Sequence, residues 1–334
     1  MTGFRDLSRA RRVAVLASVD LLLLASLEVL ARLLSPPPAS PYEILTGLAV
    51  RIGLPGLSQA LEADSNRFWA VRPGVPETPV EGEVGPGQRV RFTFSTTAEG
   101  LRTVPGPPGP RVVVCLGDSC TFGVAVDDAE TFPARLQALL PGRRCLNAGV
   151  PGYSSFQGRL YLQERIGRWK PEAVTIAFGF NDAAVWGGRA DSAERSAARP
   201  VLAFLLRSRL AQLAWGALPE RPPGTPGGTR PRLTPDEYAT EIRRMVTISR
   251  EAGARPLLVL WPAREQVPSG ARSPYQAALL GVARETGAEL VDLVRAFSEA
   301  GGPGLFADVV HANAAGNAVA AARVAAVLDG AGKR

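Results

Sequence analysis

The stretch "RVVVCLGDSC", Arg111 to Cys120, gives the clearest indication of the fold class. Its apolar part, residues 112–116, is short and closed by Gly117, and a polar turn follows at once. A run of this kind is typical of a strand buried on both faces of a parallel sheet. Ligands of such sheets bind beyond the carboxyl ends of the strands. Ser119 is therefore expected at the edge of the sheet where chemistry takes place.

Similar apolar runs recur towards the C-terminus, and stretches of helical periodicity separate them. The runs are "RCLNAG", "AVTIAFG", "ARPLLVLW" and "AELVDL", which end at residues 149, 179, 261 and 293. The helical stretches cover residues 130–140, 155–168, 235–252, 273–286 and 313–329. Strands that alternate with helices predict an α/β fold, in which right-handed connections cover both sides of a parallel sheet.

The main domain is expected over residues 111–330, with an insertion at 183–232. This interval is too long for a plain connection between a strand and a helix. Within it, residues 200–218 have helical spacing that Arg207 and Arg209 interrupt. These charges favour a packed or lid helix over a second membrane span.

A linker with a small β-containing segment is expected over residues 35–110. The stretch 42–62 has the pattern of a short amphipathic helix that "GLPG", residues 53–56, breaks. "RVRFTFSTT", residues 89–97, alternates as a half-buried strand does. "VPGPPGP", residues 104–110, is a cluster of turn residues, and we place the boundary of the main domain there.

The N-terminus has the pattern of a membrane anchor. Residues 1–12 carry several arginines, and residues 13–34 are apolar and about long enough to cross a bilayer. Asp20 and Glu28 oppose insertion, although Arg32 can pair with Glu28 one helical turn away. The arginines predict a cytoplasmic stub and a catalytic domain outside the cell membrane, periplasmic or extracellular. A cleaved signal and a helix lying on the membrane surface are the alternatives.

The composition argues against two classes of protein. The formal charge is +7, but the arginines are scattered and form no basic run interleaved with aromatic residues, so no nucleic-acid partner is expected. The chain has three cysteines, none in a C-x-x-C pair, and a single histidine, His311. These residues cannot build a zinc site of the usual Cys/His kind. We expect neither a metal nor an organic cofactor.

Polar residues follow the predicted strands and suit acyl transfer. Ser119 opens a helix after the first strand, and a serine hydroxyl becomes a strong nucleophile only when a base takes its proton. His311 is the only imidazole in the chain, and histidine is the side chain that ordinarily titrates near neutral pH. Asp308 stands three residues before it and can hold its ring. The sequence therefore predicts Ser119, His311 and Asp308 as catalytic residues.

An ester carbonyl under attack develops negative charge on its oxygen, which needs hydrogen-bond donors. The backbone N–H groups of Ser119 and Gly152 and the side-chain amide of Asn181 are the candidates, all at strand ends. A glycine at position 152 lets the backbone approach a substrate closely.

Each of these features has an ordinary explanation when taken singly. A Gly-Asp-Ser turn is common, and a lone histidine near a C-terminus is more often a surface residue. Asp118 is expected to cap or order its turn rather than act as a second acid, and Cys120 to point away from the nucleophile's side of the turn. Trp186 and Trp261, near strand ends, either line a substrate pocket or simply pack. The joint occurrence at neighbouring strand ends favours the catalytic interpretation.

"GDSCTFG", "NAGVPG", "GFND" and "DVVH" stand in the order of the four signature blocks of the SGNH hydrolase superfamily, also called the GDSL esterase/lipase family. The resemblance covers about residues 111–330. It implies a three-layer, flavodoxin-like α/β/α sandwich around five parallel strands. It also implies Ser119 as nucleophile, Gly152 and Asn181 in the oxyanion hole, and Asp308 with His311 completing a triad. Asp118 and Asp182 belong to these motifs as orienting residues.

The N-terminal part resembles a membrane-anchored bacterial subgroup of that superfamily, through "FWAVRPG" and "TTAEGLRT". An asparagine commonly precedes the Gly-Leu-Arg element there, whereas Thr-Ala-Glu precedes it here. The chain is thus expected to be a membrane-anchored serine esterase that hydrolyses an acyl ester, O-acetyl foremost, of a carbohydrate or lipid. An O-acyltransferase of envelope glycans and a non-catalytic envelope binding module are the alternatives. Oligomeric state does not follow from the sequence.

Overall fold

The computed structural model describes residues 8–34, 54–64, 66–85, 88–185, 190–194, 204–205, 207–217 and 229–330. It begins with helix α1, Arg9–Leu34, whose residues are almost all exposed. The helix has 26 residues and is long and apolar enough to cross a membrane. Most of the predicted stub, residues 1–7, lies outside the described residues.

Two antiparallel hairpins follow. Strands β1, Leu61–Asp64, and β2, Phe68–Val71, form the first, and β3, Thr78–Gly85, and β4, Gln88–Phe94, form the second. Strand β4 confirms the alternation at 89–97. The expected helix at 42–62 is wrong for residues 54–62. There a 3₁₀ turn, Pro55–Ala60, leads into β1, because Leu61 and Trp69 are buried as part of the hairpin. Residues 42–53 lie outside the described part.

Five parallel strands form the central sheet in the described part of the chain, in the order β6-β5-β7-β8-β9. Their bounds are Arg111–Gly117 for β5, Arg143–Gly149 for β6, Ala173–Ala177 for β7, Arg255–Leu260 for β8 and Glu289–Asp292 for β9. Each coincides with a predicted apolar run within two residues at either end. The order changes direction at β5, so the carboxyl ends of β5, β6 and β7 surround one crevice.

Helices follow the strands along the described part of the chain. They are α2 Ser119–Phe122, α3 Phe132–Leu139, α4 Ser155–Trp169, α5 Asp191–Glu194, α6 Arg209–Ala217, α7 Pro235–Glu251, α8 Gln266–Ser269, α9 Pro274–Thr286, α10 Leu293–Ala300 and α11 Ala314–Leu328. Helices α4, α7 and α9 share a core with Val114 and Leu116, whereas α3, α10 and α11 share another with Val113 and Cys115. Successive strand residues thus face opposite helical layers, as in the expected three-layer sandwich.

The N-terminal hairpins join the first of these cores. Leu61, Trp69 and Phe94 belong to the same buried cluster as Val114 and Leu116. Arg102, 1% exposed, extends the connection, since its guanidinium donates to Asp128 and to the carbonyl oxygens of Phe122 and Gly123 just after α2. The segment before the sheet is therefore packed against the loops that carry the strand-end motifs.

Helix α6 of the insertion begins on a carboxylate of α1. The Glu28 carboxylate accepts from the backbone N–H groups of Arg209 at 2.7 Å and Leu210 at 3.0 Å, and from the Ser208 hydroxyl at 2.8 Å. Arg32 pairs with the same carboxylate at 2.7 Å. The acid that opposes insertion of α1 thus has four donors, and the expectation of a packed helix within 200–218 is confirmed for α6. Most other residues of the insertion lie outside the described part.

Candidate active site

Ser119 is the first residue of α2, directly after the turn that ends β5. Asp118 caps this helix, because its carboxylate accepts from the backbone N–H of Cys120 at 2.9 Å. The capping role expected for Asp118 is thereby confirmed. Gly117 makes the turn possible, since a Cβ there would lie 2.1 Å from the Thr121 hydroxyl and 2.8 Å from the Ala177 carbonyl oxygen.

His311 and Asp308 stand on the loop before α11 and reach Ser119 from the other side of the crevice. The His311 Nε2 atom lies 2.8 Å from the Ser119 Oγ, and its Nδ1 lies 2.5 Å from the Asp308 Oδ2. The other carboxylate oxygen accepts from the backbone N–H groups of Val310 and His311 at 2.8 and 2.6 Å. A carboxylate has no hydrogen to give, so Nδ1 donates to Asp308 and Nε2 is left to accept from Ser119.

The Asp308 carboxyl is suited to remain ionised. Its burial raises the pKa, but the hydrogen bond and charge of His311 and the two backbone N–H groups outweigh burial and leave the pKa below its usual range. The side chain of Asp308 is 3% exposed and that of His311 is 16% exposed. The ring can therefore be reached from solvent while the carboxylate that orients it is shielded.

Cys120, next to the serine, has a different role. Its buried thiol donates to the carbonyl oxygen of Val310 at 3.6 Å, and the Trp261 indole donates to the same oxygen at 3.0 Å. Burial raises the pKa of Cys120 well above its ordinary value, so the thiol stays protonated. All three cysteines of the chain are buried and unpaired. Cys120 and Trp261 thus hold the loop just before His311.

The predicted oxyanion donors lie on the loops after β6 and β7. Gly152 has φ of +79°, a conformation that favours glycine. Its loop lies beside Ser119's strand, since the Val150 N–H donates to the Gly117 carbonyl at 3.0 Å. The Asn181 amide donates at 3.1 Å to Asp118 and at 3.1 Å to the carbonyl oxygen of Tyr153. To receive a substrate oxygen, this amide has to share or exchange one of these partners.

Asp182 anchors the start of α4 beneath these loops. Its carboxyl accepts from the Ser155 backbone N–H at 3.0 Å and from the Ser155 hydroxyl at 2.5 Å. Burial raises the pKa of Asp182 to about 7, because loss of solvation outweighs the stabilisation by these bonds and by Arg232. The sequence motif marks Asp182 as an orienting residue but gives no sign of its raised pKa.

Titration of Asp182 should lower the free energy of unfolding as pH rises from about 4 to about 7. The reason is that folding raises the pKa of this carboxyl from an ordinary value of 3.8 to about 7. In this window the folded chain keeps a proton that the unfolded chain has lost, so stability falls with pH. Asp182→Asn should flatten the slope and stabilise the fold at pH 8 by up to about 4 kcal/mol. Denaturant unfolding from pH 5 to pH 8 measures this, with exposed Asp236→Asn as the matched control. Equal slopes in wild type and Asp182→Asn would contradict the assignment.

A cleft of about 400 Å³ opens beside the turn that carries the serine, with Asp118 and Cys120 among its lining residues. Its lining is mainly apolar and includes Phe178, Phe180, Ala184, Trp261, Tyr275 and Val310. Trp261 was expected either to line a substrate pocket or to pack. It lines this cleft, and its ring also contacts Phe132 and Phe297. Trp186, the other tryptophan expected here, lies outside the described residues. Among the described residues, no group of three or more His, Cys, Asp and Glu side chains could hold a metal ion.

A doubly covered parallel sheet with a Ser-His-Asp series at its carboxyl edge is typical of α/β serine hydrolases. Residues 115–319 match the GDSL-like Lipase/Acylhydrolase family, and this is more than half of the chain. The chain belongs to that family and is an ester-hydrolysing enzyme. The resemblance noted in the four sequence blocks is thereby confirmed. The catalytic roles of the individual residues stay predictions.

Several solved structures are similar to the chain. LAE5, an alpha/beta hydrolase enzyme from the metagenome of Lake Arreo, Spain, is 20% identical, with 67% of this chain and 97% of that chain covered and a TM-score of 0.46. The acetylxylan esterase Axe2 from Geobacillus stearothermophilus is 19% identical, with 65% and 94% covered and a TM-score of 0.43. The lipase/acylhydrolase from Enterococcus faecalis is 21% identical, with 66% and 96% covered and a TM-score of 0.43. No curated protein matches the chain.

Proposed function

We propose that this chain is a membrane-anchored serine esterase that acts by two-step acyl transfer. Ser119 Oγ attacks the ester carbonyl while His311 Nε2 takes its proton, and the protonated ring then gives that proton to the leaving alcohol. Water, activated by the same ring, releases the acyl group as a carboxylic acid. The observation that carries the proposal is the continuous series Ser119–His311–Asp308, with atom separations of 2.8 and 2.5 Å.

The supporting groups have separate tasks in this scheme. The Asp308 carboxylate fixes the ring with Nε2 towards the serine and stabilises the positive charge that the ring acquires. The backbone N–H groups of Ser119 and Gly152 and the Asn181 amide receive the oxyanion. Asn181 joins by giving up its bond to Asp118 or to the Tyr153 carbonyl as the negative charge develops.

We take the substrate to be an acyl ester of a carbohydrate or lipid, with O-acetyl as the first acyl group to test. The apolar lining of the cleft supports an acyl chain or an apolar alcohol beside Ser119. Activity on p-nitrophenyl acetate and p-nitrophenyl octanoate gives the chain-length preference directly. An acetylated oligosaccharide and a short-chain glyceride then represent the two classes of alcohol.

Product analysis tests hydrolysis against transfer. The full-length protein is incubated with an acetylated oligosaccharide and an unacetylated acceptor of different mass. Hydrolysis gives one free acetate for each ester lost. Acetylated acceptor in excess of free acetate would instead establish the O-acyltransferase, in which a sugar hydroxyl replaces water.

The anchor is supported by helix α1 and its partners. Its apolar residues are exposed along its whole length, as a helix in contact with lipid requires. The Glu28 carboxylate, which is costly in a bilayer when alone, is paired with Arg32 and receives the first N–H groups of α6. The arginines at its start favour a catalytic domain outside the cytoplasm.

Full-length protein should therefore sediment with membranes and resist alkaline carbonate, whereas a chain without residues 1–35 should be released. The apolar side chains of α1 provide the free energy of membrane binding, so a chain without this helix is not retained in the membrane. Immunoblots of membrane and soluble fractions measure the distribution, and detergent extraction of the full-length protein serves as the control. Recovery of both chains in the soluble fraction would contradict the anchor.

A further inference from the structure

A side chain of the N-terminal hairpin holds the peptide unit that carries a proposed oxyanion donor. The Trp69 indole N–H, on strand β2, donates to the carbonyl oxygen of Pro151 at 2.9 Å. This oxygen and the N–H of Gly152 belong to one planar peptide unit. Fixing the oxygen end of a planar trans peptide fixes the direction in which its N–H points. Trp69 therefore sets the orientation of the Gly152 N–H.

Two more hydrogen bonds fasten the hairpin to the same loop. The Tyr153 hydroxyl donates to the Trp69 carbonyl oxygen at 2.6 Å, and the Gln157 amide donates to the Arg67 carbonyl oxygen at 2.7 Å. The Trp69 and Tyr153 rings also meet edge to face at 5.9 Å. Trp69 is 1% exposed, so water cannot readily replace its indole at the Pro151 oxygen. The contact is shielded from solvent.

The next peptide unit is held from the opposite direction. The Arg232 guanidinium donates to the carbonyl oxygen of Gly152 at 2.7 Å and to the Asp191 carboxylate at 2.8 Å. Its side chain is 1% exposed and also donates to the Gln157 side chain. Gly152 is thus clamped on both sides, and its left-handed conformation gives a defined direction to its N–H.

We propose that Trp69 is a positioning residue for the reaction, which makes the hairpin before the sheet domain part of the catalytic apparatus. The inference rests on the proposed serine esterase mechanism. An oxyanion donor acts mainly in the transition state, where the substrate oxygen carries charge, and loss of one donor costs about 10²–10³ in kcat. Misalignment of the Gly152 N–H should produce part of this loss and lower kcat by about 10- to 100-fold, with little change in KM.

Trp69→Phe tests the proposal, because phenylalanine keeps a six-membered aromatic ring but lacks the five-membered ring that carries the N–H. Trp169→Phe is the matched control. Trp169 is also buried and packs on Tyr161, but it ends helix α4, about 20 Å along the axis from the loop. The hydrolysis rate on p-nitrophenyl acetate is divided by the concentration of sites that a fluorophosphonate probe labels at saturation. Unfolded molecules take no label, so they are excluded from this concentration.

The expected result is a 10- to 100-fold fall in kcat for Trp69→Phe and a change of less than about threefold for Trp169→Phe. The Ki of an alkyl boronic acid, which presents an oxyanion-like oxygen, should rise in Trp69→Phe by a similar factor, while KM is unchanged. A structural role alone would alter the labelled fraction and leave kcat per site and the boronate Ki as in wild type. That outcome would overturn the proposal.

A second variant covers the case in which Trp69→Phe does not fold. Tyr153→Phe removes one hydroxyl from the same connection and should lower kcat several-fold at constant KM, and an unchanged kcat would count against the proposal. Failure of the esterase mechanism itself is distinguishable. In that case wild type, Trp169→Phe and Trp69→Phe would all lack serine-dependent hydrolysis.

Discussion

Replacement of His311 by alanine should lower kcat/KM for ester hydrolysis by about three to six orders of magnitude. The ring is the group within reach of the Ser119 hydroxyl that can take its proton, at 2.8 Å. Without it the serine is a weak nucleophile and the leaving alcohol departs without a proton. The chain contains one histidine, so no other imidazole can take over. Initial rates on p-nitrophenyl acetate measure the loss.

Added imidazole provides an internal control for this variant. The alanine leaves a space beside Ser119 that free imidazole can enter, so millimolar imidazole should restore part of the activity to His311→Ala and none to Ser119→Ala. Circular dichroism and the midpoint of denaturant unfolding establish that the variant is folded. Activity of His311→Ala within about tenfold of wild type would contradict the role of the ring.

The Ser119→Ala variant should lose about four to six orders of magnitude in kcat, since no acyl-enzyme can form. Its fold should be retained, because the helix α2 cap depends on Asp118 and not on the Ser119 side chain. Ser298→Ala, an exposed serine on α10, is the matched control and should behave as wild type. Retained activity in Ser119→Ala would contradict the serine mechanism and leave the Cys120 thiol as the neighbouring candidate nucleophile. That thiol is expected to be a poor nucleophile, because it is buried and its pKa is raised.

The central sheet could be predicted because its signals are local. Each strand lies in a short, largely apolar run, and three helices begin at capping boxes built on Ser154, Thr234 and Ser273. Helix α10 was missed, since it starts at Leu293 directly after β9, whose last residue, Asp292, is also the helix cap, and no linker separates the two patterns. Hairpin β1–β2 was missed because its strands have four residues each, too few to establish a period.

Only those residues of the candidate site that belong to sequence motifs could be predicted. Ser119 follows a strand, whereas Asp308 and His311 stand in the loop before the last helix, and the fold brings the three within hydrogen-bond distance. The partners of Asn181 could not be foreseen, because the direction of an amide depends on neighbours from other loops. The Trp69–Pro151 bond joins residues 82 positions apart and leaves no trace in sequence spacing.

Covalent labelling of the full-length protein with a fluorophosphonate probe tests whether Ser119 is the nucleophile, because the probe reacts with a serine that a base has activated. We expect one labelled site, mapped to Ser119 by peptide mass spectrometry, with labelling lost in Ser119→Ala and strongly slowed in His311→Ala. A folded wild-type protein that takes no label, or takes it at another residue, would contradict the serine mechanism and favour a binding module that retains the fold.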